Sequence, residues 1–88
     1  NLDMAGWMWT KVPKVKDDDD NENGRIVFEI TIDENGDVIS VKTIQTTVSP
    51  STEKLYRAAV EKLEFIKTDN KASNPTSKGR ITFIIRSK

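Results

Sequence analysis

The chain has 88 residues, with 14 basic and 14 acidic side chains that cancel, so it can hold one domain with a modest core and carries no net charge to draw it to nucleic acid or an anionic membrane. It has neither cysteine nor histidine, which excludes disulfide stapling, thiolate and imidazole catalysis, and ordinary zinc ligation. No apolar run is long enough to span a membrane, and a chain starting at Asn1 without a signal peptide reads as a processed or excised fragment whose targeting information lay upstream.

Both tryptophans fall in Gly6-Trp7-Met8-Trp9, ahead of Val12-Pro13-Lys14-Val15-Lys16. In so small a protein this arm is expected to fold back over exposed apolar surface; a partner-binding patch is the alternative, since Trp is enriched at interaction hot spots. Asp17 to Asn23 is a polar run, five of its residues acidic, and is expected to be a solvated loop. Asp19, Asn21, Asn23 and Gly24 match the opening of an EF-hand loop, but its twelfth position holds Ile30 where a bidentate Glu belongs, and a strand follows instead of a helix. No metal site or cofactor is expected; weak, non-specific cation binding is the most the run allows.

Ile26, Phe28, Ile30 and Ile32 alternate with Val27, Glu29 and Thr31, the period of a strand with one buried face. Asn35-Gly36 supplies two residues tolerant of positive φ, as a tight hairpin turn requires, and a second strand follows over Val38 to Ile44. Ser49 as N-cap, Pro50 at the first helical position and Glu53 in the first turn predict a helix over about residues 51–65. At about 100° per residue, Leu55, Tyr56, Ala59, Val60, Leu63 and Ile66 share its apolar face. Lys54, Arg57, Glu61 and Glu64 are expected to face water, Ala58-Ala59 to let the helix approach the sheet, and Phe65 to turn back to the core where the helix unwinds. Lys67 to Gly79 is loop by composition, and Arg80 to Arg86 is the third strand, with Ile81, Phe83 and Ile85 on one face.

The order strand, strand, helix, strand implies a two-layer α+β domain of β-β-α-β type. Its three-stranded antiparallel sheet has the order 2-1-3, with one helix on one face, reached by a right-handed crossover. Residues 1–23 form the arm and acidic loop, and residues 24–88 the domain. The other sheet face is partly apolar through Val27 and Ile84, and the Trp7/Trp9 segment is the candidate to shield it. The last strand is an edge, β-branched and nearly uncharged in its middle, with Arg80, Arg86 and Lys88 at its flanks. Two readings of it stay open. It takes up an extended peptide by β-augmentation, or it is kept safe by its charges or covered by the N-terminal arm.

The pattern Gly24-x-Ile26-x-Phe28-x-Ile30-x-Ile32-Asp33-x-x-Gly36-x-Val38-x-x-Val41, then Ala58-Ala59 and Phe65, then Gly79-x-Ile81-x-Phe83-x-Ile85, resembles the C-terminal domain of TonB energy transducers over residues 24–86. The family's Tyr-Pro element before the first strand is replaced here by the acidic run and Gly6-Trp7-Met8-Trp9, and its proline after the helix-end aromatic by Lys67. The resemblance implies a periplasmic domain tethered to the inner membrane by an upstream anchor, coupling the proton-motive force to outer-membrane transporters. It also implies that Arg80, Ile81, Thr82, Phe83, Ile84, Ile85 and Arg86 receive a TonB-box-like transporter segment, mainly through backbone groups. The alternative is a structural module that self-associates as a homodimer through the same edge. An enzyme is not expected: Asp33, Glu34 and Asp37 cluster at a turn, where acidic residues serve local hydrogen bonding, and Glu53, Glu61 and Glu64 lie on the solvent side of the helix. No nucleic-acid partner is expected.

Overall fold

The structure is a computed structural model describing residues 2–4, 6–11, 15, 23–68 and 76–86. Residues 17–22 of the acidic run, with Asp19 and Asn21 of its EF-hand-like start, lie outside the described residues, and Gly24 of that start opens β3. The chain runs β1 (Leu2–Asp3), β2 (Trp7–Trp9), β3 (Gly24–Asp33), β4 (Val38–Thr46), α1 (Pro50–Glu61), β5 (Phe65–Lys67) and β6 (Thr76–Ile85). The domain is α+β, with one helix and antiparallel sheets among the described residues.

The expected three-stranded sheet is instead part of a four-stranded one, in the order β1-β6-β3-β4, and a second sheet pairs β2 with β5. The difference comes from the N-terminal arm. Leu2 and Asp3 add a strand outside β6, and Trp7–Trp9 pairs with Lys67–Phe65. Strands of two and three residues carry no periodic pattern of their own; pairing with distant chain creates them.

The central strand β3 buries Ile26, Phe28, Ile30 and Ile32 completely on one face, where they meet Val60 of α1, Leu63 just past the helix, Phe65 of β5 and Ile81 of β6. Trp7 belongs to this same cluster and donates its indole N–H to the Ser77 hydroxyl at 3.2 Å. The arm therefore does not shield the opposite sheet face, as expected from the sequence, but closes the core on the helix side. The opposite face needs no such cover. One rung across all four strands brings Asp3, Arg80, Glu29 and Lys42 side by side, acid and base in alternation. Val27 on that face is buried between its strand neighbours Thr82 and Gln45, and Ile84 is mostly exposed, at 60%.

The hairpin turn is built by Asp33. Its carboxylate accepts from the backbone N–H of Asn35 at 2.9 Å and of Asp37 at 3.0 Å, and its carbonyl accepts from Gly36 at 3.1 Å. Within the turn only Gly36 has positive φ (88°), so the connection is not the two-residue turn with both central residues at positive φ. A β-carbon at Gly36 would collide with the Phe65 carbonyl, because the turn docks on β5 and Phe65 N–H donates to the Gly36 carbonyl at 2.9 Å.

Ser49 caps the helix as expected, accepting from Thr52 N–H at 3.4 Å, with Pro50 in the first turn. The helix ends at Glu61, earlier than the wheel implied, and Lys62 is its C-cap. Phe65 does turn back into the core, 3% exposed, but as part of β5; Ile66 beside it is 50% exposed. Arg57, expected in solvent, faces the sheet: its guanidinium donates to the Val41 carbonyl and the Thr43 hydroxyl, both at 2.7 Å, and sits 5.8 Å over the Phe28 ring. The helix lies across β4, and a long stem lets Arg57 reach that strand while its own backbone stays near the surface. No helix among the described residues is long and apolar enough to cross a membrane.

Candidate functional site

One side of the main sheet ends at β4; the other ends at the two-residue β1, which among the described residues covers only part of β6. The two long strands β4 and β6 differ in regularity. The register of β4 against β3 breaks twice. Val27 pairs with Gln45 and Phe28 with Thr43, leaving Ile44 over; Thr31 pairs with Ser40 and Ile32 with Val38, leaving Ile39 over. Both extra isoleucines are exposed, at 43% and 55%. Such bulges twist an edge and interrupt its row of backbone groups, which blunts it against another strand. By contrast, β6 runs against β3 without a break from Gly24 opposite Ile85 to Asp33 opposite Thr76.

A regular edge of that kind can add a strand, and β6 has done so. Leu2 lies opposite Ile81 and Asp3 opposite Arg80, antiparallel. The covering arm, one of the two readings left open by the sequence, is thus present over these two positions. Farther along, no strand pairs with the outer side of Phe83–Ile85 among the described residues.

The seven residues expected to receive a peptide are mostly within this strand, which begins earlier than expected, at Thr76, and ends at Ile85. Its start was masked by loop-like composition, and β3 draws Thr76 to Gly79 into the ladder by its own length. Arg80 is exposed on the charged face, and Ile81 is fully buried opposite Phe28. Thr82 is half-buried opposite Val27. Phe83, opposite Ile26, sets its ring edge-on to Tyr56 at 4.9 Å and to Phe28 at 6.1 Å, which ties this end of the strand to the helix. Ile84 points to the open face opposite Arg25, and half-buried Ile85 lies opposite Gly24. Arg86 is exposed just past the strand end.

No family model, curated protein or solved structure matches this chain.

Gly79, which by composition ends a loop and by spacing opens the pattern Gly79-x-Ile81-x-Phe83-x-Ile85, shapes this edge. It is buried, and a β-carbon there would lie 2.5 Å from the Met4 β-carbon and 2.7 Å from its sulfur. Met4, 9% exposed, occupies the notch that the missing side chain leaves. The sequence signal for this was an isolated glycine at the start of an apolar strand, which marks close approach of another segment.

The acidic groups singled out at the turn are structural in part: the Asp33 carboxylate is taken up by the two turn amides, and Glu34 and Asp37 are exposed. Among the described residues no group of three or more His, Cys, Asp or Glu side chains is placed to hold a metal ion.

Proposed function

We propose that this domain binds an extended polypeptide segment by adding it as a strand to the outer side of β6, as the receiving domain of a TonB-like energy transducer. In this reading the ligand is a TonB-box-like segment of an outer-membrane transporter, the compartment is the periplasm, and an upstream anchor ties the domain to the inner membrane. The observation that carries the reading is the character of β6: a ladder regular over its whole length whose outer side already takes a short antiparallel segment. Main-chain hydrogen bonds would supply most of the affinity and alternate side chains the selectivity. Opposite it, β4 is broken by two bulges and is the poorer acceptor.

The test is titration with a synthetic transporter N-terminal segment, read by calorimetry, on the parent chain and on Thr82→Pro and Ile84→Pro. Proline removes a ladder donor, and the two positions have the same parity along the strand, so Phe83→Pro completes the set. At least one of the three is expected to abolish binding while circular dichroism shows the fold retained. If every folded proline variant binds as the parent does, strand addition at β6 is wrong. Sedimentation at several concentrations runs beside it, since a tight dimer that ignores the peptide favours self-association through this edge.

A further inference from the structure

The arm that covers β6 alternates as a ligand strand must. Leu2 faces inward and packs on the core opposite Ile81; Asp3 faces outward opposite Arg80; Met4 faces inward over Gly79. Leu2 meets an apolar residue and Met4 a side-chain-sized notch, while Asp3 lies in register with Arg80 in a hollow that Lys78 and Glu29 also line.

We propose that Leu2–Asp3–Met4 is a displaceable plug and the template of the partner: the outer edge of β6 takes an extended segment with an apolar residue opposite Ile81, an acidic residue opposite Arg80 and an unbranched apolar residue over Gly79. This rests on the reading of β6 as a strand acceptor and adds what that acceptor selects and what competes for it.

The plug is built to leave. It contributes two residues to the ladder, and the chain then departs through Gly6 at φ 81° into β2. The rest of the arm has its own anchorage, with β2 paired to β5 and Trp7 in the core, so release of β1 does not require the arm to unfold. Because plug and ligand compete, the apparent affinity for a ligand is the intrinsic affinity multiplied by the fraction of molecules whose edge is open.

The probe is a fluorescently labelled peptide copying residues 1–6, followed by anisotropy on the full chain and on two variants. Leu2→Gly/Met4→Gly removes both inward anchors and is expected to bind the peptide roughly tenfold or more tightly than the parent. Asp3→Lys sets a lysine against Arg80 on an exposed position, leaves the core untouched, and is expected to bind about threefold more tightly, so the test survives if the double variant does not fold. Replacing the aspartate of the peptide by lysine is expected to weaken binding several-fold in every chain. Equal affinity across the three chains, or indifference to the charge of the peptide, overturns the proposal. So does concentration-dependent dimerisation of the variants in place of peptide binding, which would make a second copy the occupant. The transporter segment separates the two levels. If it binds with no dependence on the arm, β6 accepts strands but the template fails; if neither peptide binds any folded variant, the strand-acceptor reading itself falls.

Discussion

Gly36→Ala should destabilise the domain by more than an ordinary turn substitution, because Gly36 serves two purposes at once. Its φ of 88° lies where a side chain is strained, at roughly 1–2 kcal/mol for a non-glycine residue. Its missing β-carbon also gives the Phe65 carbonyl its place, so alanine must push β5 away and break the 2.9 Å bond from Phe65 N–H to the Gly36 carbonyl, a further loss of about 1–2 kcal/mol. The sum, about 3 kcal/mol, corresponds to a fall in Tm on the order of 10–25 °C for a domain of this size. Gly6→Ala is the built-in control: its φ is 81°, but among the described residues nothing lies within 4 Å of the added carbon, so only the conformational cost applies. Urea unfolding followed by the fluorescence of Trp7 and Trp9 gives both values. If Gly36→Ala costs no more than Gly6→Ala, the docking of the turn on β5 does not hold the two sheets together as described.

Arg57→Ala removes two 2.7 Å hydrogen bonds to β4 and a cation over Phe28, and should cost about 2 kcal/mol in chemical denaturation, with Arg57→Lys recovering less than half because an ammonium cannot reproduce the fork. Trp7→Phe keeps the ring in the core but leaves the Ser77 hydroxyl without its indole donor, at about 1 kcal/mol. In that background Ser77→Ala should add almost nothing, and a double-mutant cycle reads the coupling directly. Ser49→Ala takes away the helix cap and should cost about 1 kcal/mol in thermal unfolding.

The parts of this fold legible from sequence are those written by local chemistry. Alternation over Ile26 to Ile32 specifies a half-buried strand by itself, Asn35-Gly36 signals a reversal although Gly36 alone of the pair takes positive φ and the Asp33 carboxylate closes the turn, and Ser49-Pro50 specifies a helix start. What stayed hidden depends on distant partners. Trp7-Met8-Trp9 reads as an apolar cluster with no direction, and it is the pairing with Phe65–Lys67 that puts it on the helix side of the sheet. Arg57 shows no sign in its helical spacing that β4 passes beneath it with a carbonyl and a hydroxyl to bind. The candidate site was half legible: the regular, apolar run from Ile81 to Ile85 announces an edge, whereas the plug on it required Leu2, Asp3 and Met4 to be seen against Ile81, Arg80 and Gly79. Those three arm residues span too little chain to show any period.

The most direct measurement is amide mapping by NMR during titration with a transporter N-terminal segment. Strand addition at β6 predicts shifts and new exchange protection along Arg80 to Ile85, accompanied by loss of protection at Leu2 and Asp3 as the arm gives way. Changes confined to Val38–Thr46 on β4, or no protection gained anywhere on β6 at saturating peptide, would contradict it.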